Sequence, residues 1–201
     1  MPLLCTKITT HQTGKYVGCG SAIKLTHVES GGDYTLASSG HSWGGGSGQQ
    51  VVTLIPHKSD HSSLWLIREG NSQPQCLAGT PIACGQIIRL THLQSQKNMH
   101  THHIRSALSG QQEVSGFGED GEGDFSDDWK ILCNGKNWER GETIRLKHEA
   151  TGAYLGASKN FLFDERNCRN CPIMGHMEVA GTSKTDSSTH FRAEMGVFLS
   201  V

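Results

Sequence analysis

Ile88-Arg89-Leu90-Thr91-His92, followed by Ser109-Gly110-Gln111-Gln112-Glu113-Val114 and then Asp128-Trp129, is a pattern the chain carries three times. Copy one reads Ile23-Lys24-Leu25-Thr26-His27, then Ser47-Gly48-Gln49-Gln50-Val51-Val52, then Leu64-Trp65. Copy three is more eroded: Ile144-Arg145-Leu146-Lys147-His148, then Met174-Gly175-His176-Met177-Glu178-Val179, then His190-Phe191. Leu25 and Leu90 stand 65 residues apart and Leu90 and Leu146 stand 56 apart, longer and less regular than most solenoid repeats. Three such units suit a closed pseudo-threefold fold, one barrel with three lobes. In each, the alternation of a strand turns the Ile-x-Leu pair inward and the intervening Lys or Arg to water.

Working outward, 201 residues fit one domain that buries about 70% of its unfolded surface. Only 18% of residues are charged and the net charge is -1, so nothing steers the chain toward nucleic acid or an anionic membrane. No apolar run approaches the roughly 18 residues of a membrane span. With 25 glycines and few long apolar faces the composition is that of short strands and turns, an all-β class. Glu29-Ser30-Gly31-Gly32-Asp33, Gly44-Gly45-Gly46-Ser47-Gly48, Ser109-Gly110 and Ala150-Thr151-Gly152 read as hairpin loops. The acidic stretch Gly116 to Asp128 does not fit the ligand spacing of an EF-hand and reads as a solvated loop, so no metal is assigned. No phosphate-cradling loop, nucleophile elbow or His-Glu-x-x-His is present, and no cofactor is expected.

Twelve histidines divide into two groups. His27, His92 and His148 share one repeated position, which points to the architecture of the repeat. His100, His102 and His103 lie on the second strand of copy two, where copies one and three have Leu36-Ala37-Ser38 and Tyr154-Leu155-Gly156 nearby. Alternation puts His100 and His102 on one face. Together with Gln111 and Gln112 they form the candidate binding residues, able to donate and accept hydrogen bonds at neutral pH without a buried charge. The competing reading is that the glutamines merely satisfy loop backbone.

Cys84-Gly85-Gln86 before Ile88, Asn98-Met99-His100-Thr101-His102, Leu108 to Gly118 and Asp127-Asp128-Trp129 together resemble a MIR motif, and the chain from about residue 19 to 201 resembles the stromal cell-derived factor 2 family. That resemblance implies a β-trefoil of three MIR repeats, about 19–76, 84–133 and 140–201, after an N-terminal segment 1–18. It implies a non-catalytic accessory factor of protein quality control in the endoplasmic reticulum lumen, with a J-domain co-chaperone and a BiP-type lumenal chaperone as partners. A carbohydrate-binding module linked to protein O-mannosylation, taking glycans or mannosylated clients, is the alternative. Met1 to Gly18 lacks the apolar core of a signal peptide, no Lys-Asp-Glu-Leu-type tail closes the sequence, and no Asn-x-Ser/Thr sequon occurs.

Cysteine placement favours an oxidising compartment. Cys19 and Cys84 stand four residues before the first strand of copies one and two, while Cys76 and Cys133 follow Trp65 and Trp129. If the first and last strands of a copy are neighbours, Cys19 reaches Cys76 and Cys84 reaches Cys133; four cysteines nonetheless allow three pairings. Copy three carries an insertion, Lys159 to Pro172, containing Cys168 and Cys171, which reads as a local disulfide or two loop thiols, with Cys5 left unpaired.

Overall fold

In the computed structural model, residues 14–56 and 60–201 are described; Cys5 lies outside the described residues. Among the described residues twelve strands follow one another, four per copy: β1 Ala22–His27, β2 Thr35–Ser42, β3 Gln50–Ile55 and β4 Trp65–Glu69; β5 Ile87–His92, β6 Asn98–Arg105, β7 Gln112–Phe117 and β8 Trp129–Leu132; β9 Thr143–His148, β10 Tyr154–Leu162, β11 Met177–Thr182 and β12 Phe191–Val197. The first and fourth strands of each copy pair around a closed circuit, β1 to β4, β5, β8, β9, β12 and back to β1, all antiparallel. The middle strands form three hairpins that meet pairwise, β3 with β7, β7 with β11 and β11 with β3, and cap one end. A six-stranded barrel under a triangle of hairpins is a β-trefoil.

The repeated Ile-x-Leu pairs fill the barrel: Ile23, Leu25, Ile88, Leu90 and Leu146 are 0% exposed and Ile144 is 1%. Truncating any one leucine to alanine would cost about 2–5 kcal/mol. The residues between them depart from the alternation rule. Lys24 and Arg89 are buried rather than solvated, because loops of the lobes and the end of β4 offer them carbonyls over the barrel wall. Lys24 Nζ donates to Asp60 O at 2.9 Å; Arg89 Nε donates to Glu69 O at 2.9 Å and Nη1 to Gly121 O at 3.0 Å. The acidic loop is corrected in part as well. Glu119, Asp120 and Glu122 are exposed, but Asp127 and Asp128 are buried at its end.

Three further features repeat with the symmetry. At the open end, Val17 N donates to Trp138 O, Ile82 N to Val17 O and Trp138 N to Ile82 O, at 2.9, 2.9 and 2.8 Å, a closed ring of three buried residues that floors the barrel. The floor therefore begins two residues before Cys19. At the sides, the repeated histidines tie each copy to a neighbour: Nε2 of His27, His92 and His148 meets Ser188 O, Ser62 O and Ser126 O, each in the 3-10 turn before a fourth strand. Their rings pack on Phe191, Trp65 and Trp129 with centroids 5.3, 5.2 and 5.0 Å apart, so this position is architectural.

At the cap, one residue of each third strand holds a neighbouring hairpin tip. The Glu113 carboxylate accepts from Ser47 Oγ and Ser47 N in copy one. A Cβ on Gly46 would stand 2.0 Å from Glu113 Oε2, and φ is +62° there, so only glycine serves at this tip. Glu178 accepts from Leu108 N, Ser109 N and Ser106 Oγ in copy two at 2.7, 2.9 and 3.2 Å. In copy one the equivalent residue is Val51, and the tip it meets is the insertion of copy three. Phe163 and Ile173 bury themselves on Val51, with Trp43, Leu108, Cys168 and Cys171 packed around them. An apolar contact thus replaces a carboxylate cradle, which accounts for the insertion's composition.

Disulfides join Cys19 to Cys76, Cys84 to Cys133 and Cys168 to Cys171. The first two close copies one and two across neighbouring strands. In copy three Arg140 stands in the place of Cys19 and Cys84, and its guanidinium stacks 3.9 Å over the Phe198 ring. A cation–π contact there occupies the place of a staple.

Candidate functional site

Copy two differs from its neighbours along β6. His100 replaces Ala37 of copy one and Gly156 of copy three, and its partner Asp127 replaces Ser63 and Thr189 in the 3-10 turns. Nδ1 of His100 lies 2.8 Å from Asp127 Oδ1, both side chains being buried. The other oxygen of Asp127 accepts from Asn98 Nδ2 at 3.1 Å and Asp124 N at 2.9 Å, while Asp124 caps the same turn through Ser126 N. A carboxylate has only acceptors to offer, so Asp127 fixes the tautomer of His100: Nδ1 donates and Nε2 accepts. His102 Nδ1 is 3.2 Å from that Nε2.

The outer end of this chain reaches the surface. His102 is partly exposed, and its Nε2 has no hydrogen-bond partner among the described residues, with Glu113 Oε1 3.9 Å away. Burial, and next the neighbouring His100 ring, push the pKa of His102 down, so near pH 7 it is a neutral imidazole. The sequence Asp127, His100, His102, Glu113 is thus a line of polar side chains running from a buried turn of copy two to the tip of copy one. The arrangement holds one neutral, well-oriented imidazole at the edge of the surface, its unpartnered Nε2 buried. The nitrogen of His100 that a hydrolytic dyad would aim at a nucleophile is engaged by His102. Potential ligand atoms of His100, Asp124 and Asp127 lie within 4.8 Å of one another, but the Asp127 carboxylate is already engaged by three donors of the chain.

Gln111 and Gln112 lie elsewhere. They line a cleft with His103, Arg105, Thr182 and Lys184, on the side of the hairpin that faces copy three. Arg105 pairs with Gln112 across β6 and β7, and Gly181 pairs with Gln112 from β11. Gln112 Oε1 is buried without a hydrogen-bond partner. The four candidate residues therefore form two places, His100 with His102 and Gln111 with Gln112, separated by Glu113. Sequence reading missed Asp127, Glu113 and Arg105. The repetition of the pattern held one usable signal, since Asp127 aligns with Ser63 and Thr189.

A MIR domain family model matches residues 36–133. Stromal cell-derived factor 2 of Homo sapiens is 44% identical over 183 residues, which cover 91% of this chain and 82% of that protein. The crystal structure of the SDF2-like protein from Arabidopsis thaliana superposes with a TM-score of 0.84 at 31% identity, covering 92% of this chain and 98% of that one. A structure of the S. cerevisiae protein O-mannosyltransferase complex bound to the sugar donor contains a similar region, with a TM-score of 0.75 and 27% identity over 93% of this chain and 27% of that one. Identity of this degree over nearly the whole trefoil, on a fold generated by three copies of one motif, means that the chain belongs to the stromal cell-derived factor 2 family of MIR-domain proteins.

Proposed function

We propose that the chain is a non-catalytic binding module of protein quality control in the endoplasmic reticulum lumen, acting with a J-domain co-chaperone and a BiP-type chaperone. The observation that carries this reading is the His100 to His102 line in copy two. The fold does not need it, since copies one and three close the same turn with Ser63 and Thr189, whose hydroxyls bond the backbone at Asp60 and Asp186. What it supplies is an oriented, partly exposed imidazole whose unpartnered Nε2 lies just beneath the surface, a group suited to peptide amides or hydroxyls that displace the cover over it. Family membership and the disulfides that close copies one and two support a lumenal setting. Mixing the purified chain with a lumenal J-domain protein and its Hsp70 partner tests it. A co-eluting complex is expected, weakened by His102→Ala with Gln112→Ala at a temperature where circular dichroism shows the variant still folded. Absence of any complex under oxidising conditions would sink the reading.

A second reading is a carbohydrate-binding module linked to O-mannosylation. It is favoured by the likeness to part of the mannosyltransferase complex and by polar clefts at the seams between copies. Glycan capture without chaperone association would select it.

A further inference from the structure

Each copy has a seam bounded by its second and third strands, its 3-10 turn and the hairpin tip of the preceding copy, and the three seams are closed to different degrees. In copy two, His100 stacks on Phe117 with ring centroids 4.6 Å apart, and Gln49 of copy one accepts from Ser115 Oγ at 2.5 Å. In copy one the equivalent tip residue, His176, bonds Thr53 through Nδ1 at 2.9 Å, beside a cavity of about 220 Å³. In copy three the position of Ser115 and Thr53 is Ala180. Gln111, the tip residue of that seam, finds no hydroxyl at that position, and its side-chain amide makes no hydrogen bond among the described residues. Gly156 stands where His100 stands in copy two. The result is a cavity of about 300 Å³ lined by Ser158, Asn160, Phe161, Glu178 and Asp186 as well as Gln111.

This cavity continues into the cleft of about 370 Å³ described above, because Gln111, Thr182 and Lys184 line both. The two ends differ in charge. The inner end has carboxylates, hydroxyls and one aromatic side chain. The outer end has Arg105 and His103, no acidic residue and the unpartnered oxygen of Gln112, with Lys184 at the junction of the two. The Asp186 carboxylate, the Ser158 hydroxyl and the amides of Asn160 and Gln111, lining one cavity with Phe161 while Glu178 stays engaged by the copy-two tip, suit a ring bearing several hydroxyls, which donate and accept in turn. An Arg and a Lys that form no ion pair among the described residues suit an oxyanion, to which charge-assisted hydrogen bonds are roughly twice as strong as neutral ones. We infer that the groove between copies two and three binds a sugar carrying an anionic group, its ring against Phe161 and its anion between Arg105 and Lys184. The inference rests on the saccharide reading above and narrows it to acidic or phosphorylated sugars.

Calorimetry and amide chemical shifts of the whole chain test this with the 6-phosphates of glucose and mannose, the two uronic acids, the parent hexoses and inorganic phosphate. At least one anionic sugar should bind about tenfold more tightly than both its parent hexose and inorganic phosphate, shifting Gly156, Phe161 and Gln111. Preference for the 6-phosphates over the uronic acids would identify a phosphomonoester as the anion, and the reverse a carboxylate. Arg105→Ala with Lys184→Ala, both exposed side chains, should reduce the anionic sugar to the affinity of the neutral one, whereas Phe161→Ala should weaken both. Parent hexoses binding as tightly as their anionic forms would overturn the inference while leaving the saccharide reading in place. Inorganic phosphate binding as tightly as the sugar phosphates, or no shift in the groove with any sugar, would overturn it outright.

Discussion

Asp127 is the residue on which copy two's individuality depends. It is fully buried and accepts from His100, Asn98 and the backbone of Asp124. Asp127→Ala leaves these donors unpaired in a buried turn and should cost about 1–3 kcal/mol for each that stays unsatisfied; denaturant titration reads this directly, and a loss under about 1 kcal/mol would show that the turn relaxes around the change. The repeated histidines make a second prediction. Burial depresses the pKa of His27, His92 and His148 below the ordinary 6.5 in the folded state. The unfolded chain therefore takes up protons first as pH falls. The stability these residues provide is complete above about pH 6.5, the unfolded value, and is lost as pH drops through the lower folded values. Urea midpoints should fall from pH 7 to pH 5, and His92→Gln should flatten the dependence. The architectural role of these histidines was legible because it recurs in sequence. The His100 to Asp127 pair was not, since 27 residues separate its members and only tertiary register brings them together.

Elements were legible wherever apolar alternation survived. Ile-x-Leu marked β1, β5 and β9, and the SGQQ stretches marked the starts of β3 and β7. Less readable were the covers: the loops that bury Lys24 and Arg89, and the Val17, Ile82 and Trp138 floor, whose members share no residue type and are joined only by backbone. The disulfides differ as elements, and this is testable. Cys19 to Cys76 and Cys84 to Cys133 close loops of 57 and 49 residues, whereas Cys168 to Cys171 spans 3. Chain entropy assigns roughly 4 kcal/mol to each long loop and under about 2 kcal/mol to the short one. Double serine variants should therefore order accordingly in guanidinium titrations. A loss at Cys168 and Cys171 equal to the others would mean that the insertion's packing on Val51, rather than loop closure, depends on the bond.

At the scale of the whole molecule, what distinguishes this trefoil from a linear repeat protein is that barrel, floor and cap each join every copy to both of the others. β1 of copy one pairs along its whole length with β12 of copy three, the floor ring takes one residue from each copy, and Glu113, Glu178 and Val51 each hold a neighbour's hairpin tip. In a solenoid, a repeat contacts only its sequence neighbours and unfolding can begin at an end. Here no copy is terminal, so none can unfold while the others keep a closed barrel. Unfolding should therefore be a single transition. Trp65 and Trp129 lie in the barrel of copies one and two, where copy three has Phe191, while Trp138 is in the floor and Trp43 packs on the copy-three insertion, so tryptophan fluorescence reports the barrel of copies one and two and their contacts with copy three, and far-ultraviolet circular dichroism reports the strands of all three. Under oxidising conditions the two probes should give the same midpoint and slope. A tryptophan transition that precedes or follows the loss of strand signal would show that copy three, the one whose barrel strands no disulfide joins, separates from the rest, and the interlocked account of stability would fail.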